Sequence, residues 1–503
     1  MKKIIVIHFL IIQFKTLYAQ EVVKFGLNCI YDDLSFNQLL SPQNSKIVDF
    51  AQNYNIRFLR FPGGTVSRSY FWDRQDLIPK ALQLYSDFLS TNIKSNTDVT
   101  KNNKKVDYYN NKADVINKAL LGDSLYSDFL RFCKKNVITP IIVMNSWYYH
   151  DDNTVYKILN NDNSGIDNNK WDAILGNIKK QVQFTHKFVS QVYWEIGNED
   201  EHVYPATSYS NIAAKFATVI KSLYPNDKVI LEYANPESKK VANNWNNDMI
   251  SCLVKSKSIQ LIDFVAPHYY RAFEDVVQTQ TDMQNRIQKV DIYSKWQTLQ
   301  SPINDYPNIH LFYTEYGVLR KIVHPNYNTQ IHGLLMLYYL MNFNATPNIY
   351  GVIQHSFTTK NSGILFDEGT FKNLNYGFSP NDAAPNNFFK YAPPQAKAVK
   401  LFYTYNTVKA QSLSVNSEYA YTITNTSDKV LINVLNFADH AVTLKISDMV
   451  NYISGAKLNV IKYQFDDLNS HQWNYAANTS QSAVTAGSVQ LNKSSYNVIT
   501  IQK

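Results

Sequence analysis

The chain has 503 residues, 45% of them hydrophobic and 18% charged, with a formal charge of +8. That length sets an expectation of two to three domains, and the balance is that of a folded chain, not a disordered one. The basic excess is scattered, with Lys101–Lys105 its densest run, so it marks a solvated loop and no nucleic-acid surface. Aromatics reach 14%, led by 36 Tyr, which suits packed cores and sugar-facing clefts alike.

Met1–Ala19 reads as a secretory signal. Lys2 and Lys3 precede an apolar stretch, Ile4–Phe14, and Leu17-Tyr18-Ala19 ends the segment. A secreted or periplasmic protein is expected. The apolar stretch is too short to span a membrane, and no later run reaches that length, so no transmembrane segment is expected. Removing residues 1–19 takes three lysines and no acid from +8, leaving +5. Cys29, Cys133 and Cys252 are too few, and odd in number, for a disulfide framework. C-x-x-C, H-E-x-x-H, the P-loop and G-x-S-x-G are all absent, and no metal or cofactor is expected.

From residue 22 to about 395, short apolar runs alternate with helical patterns, as in a parallel α/β architecture. Eight strands are predicted: Val22–Ile30, Ile56–Phe61, Val137–Met144, Gln191–Ile196, Lys228–Tyr233, Leu261–Pro267, Ile309–Glu315 and Ile349–His355. Eight is the number a (β/α)8 TIM barrel requires. Helices are predicted over Ser45–Tyr54, Leu125–Lys135, Trp171–Phe188, Ser208–Leu223, Met283–Trp296 and Thr329–Phe343. Ser90–Lys112, rich in Asn, Lys, Thr and Ser, reads as an exposed insertion. L-Y-S-D-F-L occurs at Leu84–Leu89 and again at Leu125–Leu130, too few copies for a repeat architecture.

Beyond residue 396 the texture changes. Tyr419–Thr424, Val430–Asn436, Val442–Ile446 and Tyr496–Ile501 alternate with Asn-, Asp-, Ser- and Gly-bearing turns, as in an antiparallel β-sandwich. Val22–Phe25 is an alternative edge strand for it. The expected division is a signal at 1–19, a barrel at 20–395 and a sandwich at 396–503.

Barrel active sites lie at the C-terminal ends of the strands. The polar residues there are Asn28, Arg60, Asn145, Asn198, Glu199, His268, Tyr270, Glu315, Gln354 and His355, with Trp147 beside Asn145. Gly197-Asn198 marks where the fourth strand ends and singles out Glu199 over Glu195 as a proton donor. Glu315 ends the seventh strand and is the candidate nucleophile, with Tyr270 and Arg60 expected to hold it ionised. Two glutamates at strand ends are what a retaining glycosidase uses: one protonates the leaving oxygen and the other attacks the anomeric carbon. Trp147, Tyr148 and Tyr149 fit a sugar-stacking wall or a core.

R-F-P-G-G at Arg60–Gly64, W-E-I-G-N-E at Trp194–Glu199, P-H-Y-Y at Pro267–Tyr270 and T-E-Y-G at Thr314–Gly317, in this order, resemble the clan A glycoside hydrolases. The nearest family is family 51, the α-L-arabinofuranosidases, in which a β-sandwich follows the barrel. The resemblance implies that Glu199 is the acid/base, Asn198 a contact to the sugar 2-hydroxyl and Glu315 the nucleophile. It further implies that His268, Tyr270, Gln354 and Asn145 bind sugar. The chain departs from the family pattern with Thr65 after the Gly pair, Asn28 then Tyr31-Asp32-Asp33 after strand 1, Tyr316 after the nucleophile and Asp200-Glu201-His202 after the acid.

The resulting expectation is a secreted retaining glycoside hydrolase of plant or algal polysaccharides or oligosaccharides, α-L-arabinofuranosidase-like, with xylosides, uronides and galactans as alternatives. Two other classes stay open: a non-catalytic carbohydrate-binding protein on a decayed barrel, and an interaction protein docking through aromatics near Trp473.

Overall fold

The computed structural model describes residues 21–29, 54–93, 106–107, 110, 125–151, 153–158, 168–235, 244–270, 280–287, 290, 292–317, 330–355, 394–449, 457–465, 477–483 and 488–502. The signal, the Ser45–Tyr54 helix up to residue 53, Tyr31-Asp32-Asp33, Trp473 and most of Ser90–Lys112 lie outside the described residues.

Eight parallel strands close into a barrel in the order β1 (Lys24–Asn28), β2 (Ile56–Phe61), β3 (Thr139–Met144), β6 (Tyr193–Ile196), β7 (Lys228–Tyr233), β8 (Phe264–Tyr269), β9 (His310–Tyr316) and β10 (Ile349–Gln354). All eight predicted strands are present. β1 pairs with β2 and β10, so the alternative placement of Val22–Phe25 in the sandwich is corrected. A hairpin of β4 (Tyr148–Asp151) and β5 (Thr154–Lys157) projects after β3.

Among the described residues the helices are α1 (Ile78–Ile93), α2 (Leu125–Asn136), α3 (Asn168–Thr185), α4 (Ala206–Leu223), α5 (Trp245–Lys255), α6 (Gln280–Ile287), α7 (Ile292–Gln300), α8 (Gln330–Ala345) and α9 (Pro394–Tyr405). The single helix expected over Met283–Trp296 is two, α6 and α7. Helices α1, α5 and α9 are additions to the sequence expectation. Every residue of α8 is buried, because α9 and the C-terminal sheet cover the side that the barrel does not. Such a helix is apolar all round and shows no amphipathic stripe.

The C-terminal sandwich is lopsided. Its main sheet has the strand order β11 (Ser412–Val415), β12 (Tyr419–Asn425), β13 (Lys429–Asn436), β18 (Ser495–Gln502), β15 (Lys457–Gln464) and β16 (Ala477–Ala483). It faces the short pair β14 (Val442–Lys445) and β17 (Ser488–Leu491). Strand alternation serves two cores at once. Ile432, Val434, Ile499 and Ile501 pack with Leu444 and Leu491 inside the sandwich. Leu431, Leu435, Tyr496 and Val498 join the core that includes Phe402 of α9 and Leu334 of α8.

Inside the barrel, Phe58, Ile141, Tyr193, Ile230, Phe264, Phe312 and Ile353 form one apolar cluster. Phe58 lies 5.2 Å from both Tyr193 and Phe312, rings on strands that do not pair with β2, so these side chains cross the lumen. They close the lower half of the barrel. Polar side chains fill the upper half.

Candidate active site

Two positions further along the same strands stand Arg60, Glu195, Glu232 and Thr314. Period-2 alternation aims them into the same lumen, one layer nearer the C-terminal ends. Arg60 is fully buried and uses its guanidinium as a hub. Its Nε and Nη2 donate to the two carboxylate oxygens of Glu195, at 2.5 and 3.1 Å. Nη1 donates to Glu315 Oε1 at 2.7 Å and to Asn28 Oδ1 at 3.2 Å, and Nη2 to Asn198 Oδ1 at 2.7 Å. A planar, permanently charged fork suits this multiple grip where an ammonium would not. Glu195 also accepts from Thr314 Oγ1 at 2.6 Å, which makes it the counter-ion of Arg60 and leaves Glu199 as the acid facing the cleft.

Glu315 reaches the site through a local irregularity. Strand β9 carries one extra residue against each neighbour, between Leu311 and Glu315 opposite β8 and between Tyr313 and Tyr316 opposite β10. A bulge of this kind re-aims side chains, and here neighbouring Thr314 and Glu315 both meet groups of the lumen. Glu315 Oε1 also accepts from Asn28 Nδ2 at 3.0 Å, and Oε2 accepts from the Tyr270 hydroxyl at 2.5 Å. Burial would push this carboxyl up, but the charges of His268 and Arg60 outweigh it and hold Glu315 at about 2. It is ionised at any working pH.

Glu199 sits at the end of β6, its side chain 27% exposed against 4% for Glu315. Its backbone is left-handed at φ 52°, after Gly197 at φ 87°. A Cβ on Gly197 would fall 2.1 Å from Asp200 Oδ2, so glycine is needed for space as well as for conformation. Asp200 is buried there, accepting from Ser146 Oγ and, at 2.6 Å, from Trp147 Nε1, and burial raises it to about 6. His268 Nδ1 lies 3.4 Å from Glu199 Oε1 and 3.6 Å from Glu315 Oε2. Glu199, His268 and Glu315 each present an atom within 4.8 Å of the others. Burial favours a proton on Glu199, while His268 and Arg68 act more strongly against it and keep the free carboxyl below its ordinary range.

Neither a family model nor a curated protein matches this sequence. Solved structures do match. The α-L-arabinofuranosidase of Thermotoga maritima is 13% identical over 96% of this chain and 97% of that one, with a TM-score of 0.59. A family 51 α-L-arabinofuranosidase from Bifidobacterium longum is 12% identical over the same shares, also at 0.59. The family 44 xyloglucanase of Paenibacillus polymyxa is 12% identical over 96% and 97%, at 0.53. The chain has the fold of clan A glycoside hydrolases.

Within that fold, Glu199, Glu315, Asn198, Arg60, His268 and Tyr270 converge as the sequence pattern led us to expect. Asn198 Nδ2 is buried without a partner among the described residues, a donor available to a ligand. Gln354 ends β10 with its amide oxygen buried and unpaired among the described residues. Two candidates stand back and are corrected. The Asn145 amide oxygen accepts from the backbone N–H of Trp147 and Tyr148, and its nitrogen donates to the Tyr70 carbonyl, so it shapes the turn after β3. Trp147 is buried, with Arg68 4.5 Å over its ring and its N–H spent on Asp200, so it supports the acid loop and offers no face to a sugar. Tyr148 and Tyr149 are buried as well, which removes the stacking wall.

Sequence reasoning missed Arg68. It follows the Gly63-Gly64 turn and donates to the carbonyls of Asn198 and Glu199 at 2.8 and 2.9 Å, pinning the acid loop. Gly63 has a role beyond the turn, since a Cβ there would overlap Asn28 Oδ1 at 1.6 Å. The close approach lets Asn28 reach Glu315 and, at 2.8 Å, His355 Nδ1. The run R-F-P-G-G-T-V-S-R carried this signal in its second Arg.

Proposed function

We propose that the chain is an exported retaining glycoside hydrolase. The observation that carries the reading is the spacing of the two carboxyls: one oxygen of Glu199 and one of Glu315 lie within 4.8 Å. That closeness of the nearest oxygens suits the carboxyl separation of about 5–5.5 Å in retaining enzymes better than the about 6.5–9.5 Å of inverting ones, which leaves room for a water. Glu315, ionised and gripped by Arg60, Asn28 and Tyr270, attacks the anomeric carbon. Glu199, the more exposed of the two, gives its proton to the leaving oxygen and later takes one from the incoming water. Forming the glycosyl ester cancels the charge on Glu315. Because the two charges repel, Glu199 then binds its proton less tightly and turns from acid to base.

A general acid must hold a proton, and in the sugar-free site His268 competes for it. A sugar seated against Glu199 excludes water and shifts that competition towards the carboxyl. Asn198 Nδ2 and the Gln354 amide oxygen, both without partners among the described residues, supply a donor and an acceptor for ring hydroxyls. The fold of the matched arabinofuranosidases makes α-L-arabinofuranosides of plant or algal glycans the first substrate to test, with xylosides, uronides and galactans next.

The test is hydrolysis of a panel of aryl glycosides by the wild type, Glu199→Ala and Glu315→Ala, with azide added to each variant. We expect one sugar to be cleaved, each variant to lose on the order of 10⁴-fold or more in kcat, and azide to restore turnover. Full activity in Glu315→Ala would remove the mechanism at its centre. Cleavage of polysaccharides but of no aryl glycoside would move the substrate to longer chains.

A further inference from the structure

Beneath the carboxyl pair lies Glu232, at the inward position of β7, which the two-glutamate mechanism does not use. It is 1% exposed, and its Oε1 is buried with no hydrogen-bond partner among the described residues. His268 has a matching gap. Its Nδ1 faces Glu199 and Glu315, while its Nε2 is buried and unpaired among the described residues. A ring nitrogen of His268 and a carboxylate oxygen each of Glu232 and Glu195 lie within 4.8 Å of one another. Each side chain carries one orphan atom, and side chains this near are bridged by one water or by a small rotation.

We propose that Glu232 is a positioning residue for the acid/base: as a neutral carboxylic acid it accepts the Nε2–H of His268, directly or through one water, and keeps the imidazole as the proton store on which Glu199 draws. This rests on the glycosidase reading of the site. With Nε2–H held from below, the proton that moves is the one on Nδ1. It passes to Glu199 Oε1, the imidazolium becomes a neutral imidazole still protonated at Nε2, and no other proton is needed.

Neutrality of Glu232 matters. An ionised Glu232 would hold the imidazolium firmly and leave Glu199 without its proton. Burial, then the negative charges of Glu195, Glu201 and Asp200, push Glu232 well above the ordinary carboxyl range against the pull of Arg60. Facing His268 from other elements are Glu199, Glu201, Glu315, Glu195, Arg60 and His355, with Tyr270 just past the end of its own strand. Glu315 and Glu199 raise its proton affinity against burial and Arg60. A bound cation is the competing use of Glu195, Glu232 and His268, but Arg60 and Thr314 already occupy the Glu195 oxygens.

The experiment uses the full chain and two readouts. The first is NMR titration of the His268 ring, its signals identified by their loss in His268→Asn. In Glu232→Leu the Nε2–H loses its acceptor, the imidazolium is disfavoured, and the His268 pKa falls by about one unit or more. Glu232→Gln, neutral and with a carbonyl acceptor, restores it. The second is the pH profile of kcat/KM on the sugar found above. Its alkaline limb moves to lower pH in Glu232→Leu, with kcat down on the order of 10-fold, and returns in Glu232→Gln. Unchanged His268 titration in a folded Glu232→Leu overturns the proposal, as does a limb that stays in place while only stability falls. If the wild type cleaves no sugar, the glycosidase reading fails, and the His268 titration still decides the contact.

Discussion

The lower and upper halves of the barrel lumen are built by the same strands, two residues apart. Below are Phe58, Tyr193, Ile230 and Phe312; above are Arg60, Glu195, Glu232 and Thr314. The lower layer is held by ring packing and needs no partners. The upper layer is as deeply buried, and each charge in it is tolerable only because another answers it. Arg60 answers Glu195 and Glu315 together, so stability and chemistry depend on one side chain. The comparison separates a layer whose loss costs folding from one whose loss costs both.

Arg60→Met should show the largest effect of the substitutions that probe these layers. It leaves Glu195 and Glu315 buried without their cation, and such breaks cost about 3–5 kcal/mol. Activity should fall along with stability. The pH sign follows from Glu315. Its folded value of about 2 lies below the ordinary 4.5, so its contribution to stability is complete above 4.5 and is lost as pH falls through 2. Without Arg60 that carboxyl binds its proton more readily, and the acid limb of kcat/KM moves to higher pH. Urea melts and a pH profile check both, and an unmoved acid limb would show that Arg60 does not set the charge of Glu315.

Phe312→Ala tests the other layer. It removes a ring packed against Phe58, Phe264 and Tyr350, at a cost of about 3–5 kcal/mol from the cavity left behind. The pH profile of the enzyme that remains folded should match the wild type. A shifted limb would mean that the layers are coupled through the backbone of β9.

Apolar runs and strand ends carry their own signals, and the eight strands with their terminal Asn198-Glu199, His268, Tyr270 and Glu315 were legible from them. Other features depend on contacts between distant segments. Arg68 reaches carbonyls 130 and 131 residues away. The extra residue in β9 appears only when β8 and β10 are laid beside it. Asn145 and Trp147 stand at the right strand end, but an Asn oxygen taken by two backbone N–H groups looks no different in sequence from one open to a sugar. Helix α5 has Trp245, Met249, Ile250 and Leu253 at helical spacing, but the polar Asn and Ser between them weakened the signal.

The smallest expected effect is that of Tyr270→Phe, which sharpens the comparison because it removes a hydrogen bond from the upper layer without removing a charge. The Tyr270 hydroxyl donates to Glu315 Oε2, and the next donor to that oxygen is His268 Nδ1, 3.6 Å away. A hydrogen bond to the ionised form favours ionisation, so its loss lets Glu315 bind a proton more readily. The acid limb should move in the same direction as in Arg60→Met and by less, since the guanidinium remains. With one oxygen of the nucleophile freed to turn, kcat/KM should fall about 10-fold, equivalent to about 1.4 kcal/mol in the transition state. Folding stability should change by no more than about 1 kcal/mol, because the ring still fills its place. If kcat/KM and the acid limb both match the wild type, Arg60 and Asn28 on Oε1 are enough to hold the nucleophile.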